Sequence, residues 1–394
     1  MATALSLLRS QPRFRALWLA IAISYTGSGA TQTALTLYVA EQQGTGVAVG
    51  ALVLAMSLPQ LLGPLTGALA DRVELRRAMV LCDLAQAACF ALLATLPPLG
   101  PLLGLVAVTA ALQTIYGPAR STAIPALVEE DQLLAANATL GIAHNFNIVV
   151  GPPLGGALFA LFGPASVLWL NAASFLVSAL LTTRLPLLLP SGAGETPERI
   201  WASIRSGLRY VAGNQLIRTV LLALFFVVAF VAFDEVALVF LVRDTLGGSS
   251  TVFGFVTAAF GIGMLAGSLG ILARLHVPPP RFFLAGLTLI ALGTLLTGLA
   301  PLIVFAALFQ MIAGGGNGVM NGAGDTIIQR YVPRKMVGRV FGIGVAAFAL
   351  GLGLAAPVGG ALVDATSPRT TFVIAGSGAL FVAALAAPVL RRAA

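Results

Sequence analysis

Two adjacent acids stand inside an otherwise apolar stretch of the chain. Asp234 and Glu235 lie in the run 219–242, which is rich in Phe, Val, Ala and Leu. An ionised side chain at the centre of a bilayer costs about 2.5–3.5 kcal/mol on insertion scales, so it needs water, a partner or a proton. Because desolvation favours the neutral carboxyl group, the pair suits proton binding and release. The alternative is that one acid faces the outer end of its helix and pairs with Arg243.

Other polar side chains also fall within apolar runs. His144 has the chemistry to titrate near neutral pH and is a third candidate for proton coupling, although a histidine between helices is also commonly a hydrogen-bonded structural residue. Asp83 and Asp325 lie closer to helix ends, and we expect them to pair with arginines. The candidates for contact with a small-molecule substrate are Tyr25, Thr26, Gln32, Gln113, Tyr116, Asn145, Gln310, Asn317 and Asn321.

Enzymatic chemistry has no support in the residue pattern. The glycine cluster 314–318 lacks the Lys-Ser/Thr that follows in a phosphate-binding loop, and its spacing favours helix packing. The sequence shows no metal-ligand cluster, nucleophile triad or nucleotide motif. We therefore expect a protein that is not an enzyme and that binds no metal or cofactor. Cys82 and Cys89 are too far apart along one helix for a disulfide and are expected to be free thiols.

The elements that position these residues are membrane helices. Of the 394 residues, 58% are hydrophobic and only 9% are charged, whereas a soluble domain carries roughly 25% charged residues. A spanning helix needs about 20 apolar residues. Twelve such runs are present, and the predicted fold is an all-α membrane protein with helices near 14–40, 47–70, 78–97, 101–120, 134–162, 165–185, 219–242, 251–274, 282–299, 301–328, 337–363 and 370–390.

The basic residues indicate sidedness. With the N-terminus inside, all but Arg243 and Arg369 of the 22 Lys and Arg residues fall on the inner side. This asymmetry predicts a bacterial inner-membrane protein with both termini in the cytoplasm. The bases lie in short gaps between apolar runs rather than on a soluble module, so we expect no nucleic-acid partner.

The chain divides into two similar parts. At an offset of 204 positions, the stretch 153–158 (PLGGAL) pairs with 357–362 (PVGGAL). We therefore predict two pseudo-symmetric six-helix bundles, 1–185 and 219–394, with the substrate path between them. The segment 186–218 is predicted to be a cytoplasmic linker that carries an amphipathic helix on the bilayer surface. We expect a monomer whose partners are lipid, a small-molecule substrate and protons.

The loop between the second and third runs carries a recognisable charge pattern. It reads Gly67-Ala-Leu-Ala-Asp71-Arg72-Val-Glu-Leu-Arg76-Arg77. This resembles the loop 2–3 motif of the major facilitator superfamily, Gly-x-x-x-Asp-Arg-x-Gly-Arg-Arg, although a glutamate replaces the later glycine. The resemblance implies that Gly67, Asp71, Arg72, Arg76 and Arg77 form a conformational latch. The alternative is a simple positive anchor on the inner side.

The fifth run carries Gly151, Pro152, Gly155 and Gly156. This pattern resembles the helix 5 motif of drug:proton antiporters in the superfamily, although Asn147 stands where that motif has glycine; a generic close-packed kink is the alternative. The stretch 117–137 is similar to the helix 4–5 junction of the enterobactin-exporter and macrolide-efflux branch. The buried helix 4 arginine of many proton antiporters is missing, and Gln113 occupies its place.

The resemblance implies a secondary active transporter. We expect it to export amphipathic small molecules, such as a drug, a macrolide or a siderophore-like compound, by proton-coupled alternating access. The alternatives are an importer of a small solute on the same fold and, less favoured, a membrane receptor or scaffold that does not transport.

Overall fold

The computed structural model describes residues 4–63, 66, 73–186, 197–272 and 277–393, and over these residues the chain is helical without strands. The helices are α1 (Ala4–Ser10), α2 (Pro12–Gln43), α3 (Gly46–Ser57), α4 (Leu75–Leu93), α5 (Leu99–Ala123), α6 (Leu133–Phe162), α7 (Pro164–Thr182), α8 (Pro197–Gly213), α9 (Gln215–Phe240), α10 (Ser250–Leu272), α11 (Pro279–Leu299), α12 (Ile303–Tyr331), α13 (Val337–Ala365) and α14 (Pro368–Arg392).

Most predicted runs coincide with these helices because the sequence marks their ends. The run 47–70 does not, because α3 ends at Ser57 and is followed by a 3-10 helix over Leu58–Leu62. Proline begins α7, α11 and α14, where its missing N–H costs nothing. A glycine in the left-handed region, Gly163 at φ 75°, separates α6 from α7. Within the described residues, nine helices are long and apolar enough to cross a membrane. The all-helical membrane fold is therefore confirmed, whereas the count of twelve spans stays a prediction.

By contact, the chain forms two units. The first unit comprises residues 1–35 and 59–197, and the second comprises 36–58 and 198–394. In the first unit, α4 packs against both α5 and α7. The rings of Phe90 and Phe175 stack across the α4–α7 contact, with centroids 5.4 Å apart. A buried cluster that includes Phe14, Leu17 and Met79 fills its interior.

The second unit is built on close helix contacts. Helix α12 packs on α10 and α11, α14 packs on α9 and α11, and α13 packs on α9 and α3. Gly263 of α10 allows one of the closest of these approaches, because a Cβ there would overlap the Met311 carbonyl oxygen of α12. Small residues thus set the helix spacing, as is usual in membranes.

Helix α8 lies in the predicted linker, of which 187–196 fall outside the described residues. Ser206 accepts a hydrogen bond from Arg339 of α13 at 2.8 Å, and Gly207 is buried against the same helix. Leu208 is 51% exposed, and Arg205 and Arg209 are exposed beside it. This outer face combines one apolar and two basic side chains, so its contact with the bilayer surface stays a prediction.

Candidate proton and substrate sites

Asp234 lies at the centre of a hydrogen-bonded site in the second unit. Its side chain is on α9 and only 5% exposed. Gln310 of α12 donates from Nε2 to both carboxylate oxygens, at 2.8 and 3.0 Å. The Thr294 hydroxyl of α11 lies 3.5 Å from Oδ2, at the outer limit of a hydrogen bond. Three helices therefore converge on one buried carboxyl group.

Glu235 faces a different direction from its neighbour. Adjacent helical residues point about 100° apart, and Glu235 is partly exposed rather than buried. It makes no hydrogen bond or ion pair to the residues that the structure describes. Arg243 pairs with Glu41 instead, so neither acid of α9 adopts the pairing considered in the sequence analysis.

The first unit holds a second group of polar side chains. Arg120 of α5 donates a hydrogen bond to the Tyr25 hydroxyl, and its guanidinium carbon lies 5.5 Å from the centre of the Tyr25 ring. Gln113 donates to Gln86 of α4 at 2.7 Å. Tyr116 is only 2% exposed. Two predicted substrate residues, Tyr25 and Gln113, are thus held by partners that the sequence analysis did not name.

Several of the remaining candidates stay apart from these groups. Asn321 donates to Asn317 one turn earlier on α12 at 2.8 Å, and Thr26 donates to a backbone carbonyl of its own helix at 2.8 Å. Gln32 is exposed. The side chains of His144 and Asn145 lie outside the described residues.

The structure assigns Asp83 a partner other than an arginine. The carboxylate is fully buried, and its Oδ2 accepts a hydrogen bond from Ser178 of α7 at 2.8 Å. No ion pair to a described arginine is present, so the predicted pairing is wrong. The reason is that α7 carries no charged residue and meets Asp83 with the Ser178 hydroxyl. Both cysteines are free, as predicted.

The predicted latch is described only in part, because Gly67, Asp71 and Arg72 lie outside the described residues. Arg76 donates to the Leu185 carbonyl at 3.1 Å, and Arg77 lies 3.7 Å from Glu74. Glu74 caps α4, because its carboxylate accepts from the backbone nitrogens of the next two arginines at 3.1 and 2.9 Å. The residue that departs from the motif therefore has a helix-capping role that the sequence analysis did not identify.

The small residues of α6 pack closely against α2. A Cβ on Gly151 would lie 3.0 Å from Gly29, and Gly155 lies directly against the Ala30 backbone. Pro152 is buried within the same helix. The Asn147 amide oxygen is also buried against Gly29 and has no hydrogen-bond partner among the described residues. This contact explains the small residues, and the exporter role of the motif stays a prediction.

Long apolar helices that pack through small residues, with carboxyl groups buried between them, are typical of a multi-pass membrane protein. The family model MFS_3, described as transmembrane secretion effector, matches residues 2–392. The chain therefore belongs to this family of the major facilitator superfamily.

Curated relatives cover most of the chain. It is 29% identical over 373 residues to the multidrug efflux pump Tap of Mycolicibacterium fortuitum, with 88% of each chain covered. It is 27% identical over 400 residues to the enterobactin exporter EntS of Escherichia coli O81, with 98% of this chain and 94% of the relative covered. These matches confirm the predicted resemblance to the exporter branch.

Solved transporters share the fold. The nucleoside transporter NupG (D323A mutant) superposes with a TM-score of 0.82 at 14% identity, over 95% of this chain and 99% of its own. A bacterial homologue of the human lysosomal transporter Spinster gives 0.77 at 16% identity, over 97% and 98%. At this level of identity the likeness supports the architecture alone.

Proposed function

We propose that this protein exports amphipathic small molecules, with proton entry driving the outward step by alternating access. The names of two relatives, a multidrug efflux pump and an enterobactin exporter, support the outward direction. The observation that carries proton coupling is the buried Asp234 carboxyl with its Gln310 and Thr294 partners. The predicted location is the bacterial inner membrane, with both termini in the cytoplasm.

The Asp234 site offers partners to both protonation states. Gln310 donates to both oxygens, which supports the anion. A protonated carboxyl group becomes a donor and needs an acceptor, and the Thr294 hydroxyl is able to accept as well as donate. The site can therefore hold the carboxyl group with or without its proton.

Glu235 is the second coupling candidate because it is more accessible. It lies one residue along α9 from the buried acid and is partly exposed. An accessible carboxyl group beside a buried one provides a route for the proton from water to Asp234. We therefore propose that Asp234 holds the proton and that Glu235 exchanges it with water.

The substrate class follows from the few charges among the candidate contact residues. Tyr25, Gln113, Tyr116 and Asn317 offer hydroxyl, amide and aromatic groups, which suit a molecule with both apolar and polar faces. The first unit adds one cation, Arg120, next to Tyr25. Enterobactin is named only for the relative EntS, and it is one member of the proposed substrate class.

The test uses purified protein in proteoliposomes with an imposed pH gradient and ethidium as the probe. We expect D234N and E235Q to reduce gradient-driven ethidium movement, and the double variant to abolish it. The exposed carboxylate Asp244, ten residues along the chain, supplies the matched control D244N, which is expected to retain full activity. Full gradient-driven movement in the double variant would contradict proton coupling through these acids.

Gln310 provides a finer test of the same site. Gln310→Leu removes both hydrogen bonds to Asp234, and loss of a charge-assisted hydrogen bond costs about 1.5–3 kcal/mol. We expect gradient-driven movement to fall at least tenfold. Gln329→Leu, at an exposed amide on the same helix, is the control and is expected to have no such effect.

The direction of movement separates the alternatives. Outward transport that collapses with the gradient supports the exporter, whereas gradient-driven uptake supports an importer. A receptor or scaffold predicts no flux of ethidium or of any other candidate in a drug panel.

A further inference from the structure

Asp83 is a buried carboxyl group that the proposed transport site does not use. It lies on α4 in the first unit and is 0% exposed. One oxygen accepts from the Ser178 hydroxyl at 2.8 Å. The other, Oδ1, is equally buried and has no hydrogen-bond partner among the described residues.

No positive charge among the described residues balances this carboxyl group. Helix α7 contributes no titratable residue, and α5 contributes only Tyr116 and Arg120. Arg120 is directed to Tyr25 of α2, and no described cation lies within ion-pair distance of Asp83. On its own helix the neighbouring titratable group is the Cys82 thiol, which is neutral and buried.

Two buried hydroxyl groups lie near Asp83. Ser178 donates to it directly, and the buried Tyr116 hydroxyl interacts electrostatically with Asp83, Ser178, Tyr25 and Arg120. It makes no geometrically complete hydrogen bond to the described residues. Because hydroxyl groups both donate and accept, Ser178 and Tyr116 are able to hand a proton on in either direction.

The energetics favour a proton at this position. Burying an isolated carboxylate costs far more than one hydroxyl hydrogen bond returns. A buried acid without a cation therefore carries its charge only transiently, and the neutral group donates to a nearby hydroxyl. Asp83 also falls in the predicted membrane run 78–97, and an ionisable residue inside a span is by default a hypothesis for a functional site.

We propose that Asp83 is a second proton-binding site, connected through Ser178 and Tyr116 to the Tyr25–Arg120 pair. It lies entirely within the first unit, so it is separate from Asp234. It would let the first unit bind a proton beside a residue predicted to contact substrate. The proposal concerns proton binding itself and does not depend on the direction of transport or on its driving ion.

Infrared spectroscopy tests the proposal directly. The full-length protein in lipid nanodiscs, carrying D234N and E235Q, is compared with and without D83N. Protonated buried carboxyl groups give a carbonyl stretching band that carboxylates lack. We expect such a band at neutral pH in the D234N/E235Q protein and its loss when D83N is added. Identical spectra would overturn the proposal. The added variant D244N, at an exposed carboxylate, is the control and leaves the band in place.

Ser178→Ala covers the case in which D83N fails to fold. It keeps the acid and removes its hydrogen-bond donor, so the band is expected to persist and to shift in frequency. An unchanged frequency would show that no such carboxyl group is bound to Ser178, and would contradict the proposal. Tyr116→Phe, which removes the hydroxyl that faces Ser178, is expected to slow the pH-dependent change of the band.

Sodium is the competing ligand for a group of buried oxygens. The spectra are therefore repeated in sodium chloride and in choline chloride at equal ionic strength. A band of equal size in both salts supports a proton. A band that disappears only in sodium chloride would indicate that Asp83 binds sodium instead of a proton, and would overturn the proposal. Because none of these measurements involves transport, their failure is distinguishable from failure of the proposed function.

Discussion

Asp364 stabilises the start of α3 from another helix, and its removal should loosen the α3–α13 contact. The first turn of a helix has backbone N–H groups without an intrahelical partner. Thr45, at the N-cap position, makes no side-chain cap hydrogen bond. Instead, the Asp364 carboxylate of α13 accepts from the nitrogens of Gly46 and Val47, at 2.5 and 3.0 Å.

We expect the loss of this cap to cost only a modest amount of free energy, because the site is partly exposed to water. Removing a capping side chain costs about 0.5–2 kcal/mol, and water replaces the acceptor where the donor is accessible. Asp364 is exposed and so is the Val47 hydrogen bond, although the Gly46 bond is partly buried. We therefore take about 1 kcal/mol for Asp364→Ala, which is roughly a fivefold change in an equilibrium. Asp364→Asn keeps an acceptor and should have a smaller effect.

Cysteine accessibility measures this change. Val49 of α3 is 0% exposed, so V49C reacts with a maleimide only when α3 separates from its neighbours. In a background without Cys82 and Cys89, purified protein in nanodiscs is expected to label about five times faster with D364A. D244A is the control and should leave the rate unchanged. An unchanged rate in D364A would show that the cap does not hold α3 against α13.

Three further predictions concern packing, charge and capping. Gly50→Leu should lower the melting temperature, because a Cβ alone would lie 2.5 Å from an α13 carbonyl oxygen, whereas Gly104→Leu, with open space around it, should not. E41Q or R243Q should each lower the free energy of unfolding by less than about 1 kcal/mol, because the pair is partly exposed. The charge swap E41R/R243E should recover the loss. A loss that does not depend on salt would contradict an ionic origin. Glu74→Ala should cost about 1 kcal/mol of unfolding free energy and Glu74→Gln less; equal losses in thermal unfolding would argue against capping.

The helices were predictable because apolar length and proline or glycine boundaries are local properties. The predicted run 134–162 corresponds to Leu133–Phe162, and 337–363 corresponds to Val337–Ala365. A lipid-facing helix needs its apolar run whatever its neighbours are. The element boundaries therefore follow from the sequence alone to within a few residues.

Partner side chains were not predictable because they come from distant parts of the chain. Gln310 and Asp234 are 76 positions apart, and Ser178 and Asp83 are 95 apart. No periodicity within one helix specifies which face meets which helix. The sequence correctly singled out Asp234 and Gln310 as polar groups inside apolar runs, but did not join them.

Arg120 shows a different limit of sequence reasoning. Its position near the end of a run placed it among the basic residues of the inner side. In a helix, however, each Cα–Cβ bond tilts toward the N-terminus, so a long side chain in the last turn reaches back along the helix. Arg120 lies in the last turn of α5 and reaches Tyr25. A half-buried cation is therefore present on this helix, seven residues beyond the position at which Gln113 stands.

The two buried acids lie at positions where the predicted repeat does not match. At the repeat offset of 204, Asp234 corresponds to Ala30 and Asp83 to Leu287. Ala30 has to be small, because Gly155 of α6 packs directly on its backbone, and a carboxyl group there would lie inside a helix contact. Leu287 is fully buried in the apolar cluster of the second unit, where a carboxyl group would need a hydroxyl partner such as Ser178. The packing at Ala30 and Leu287 therefore disfavours a carboxyl group at either position, and the predicted repeat matches the pattern of helices without matching the acids that they carry.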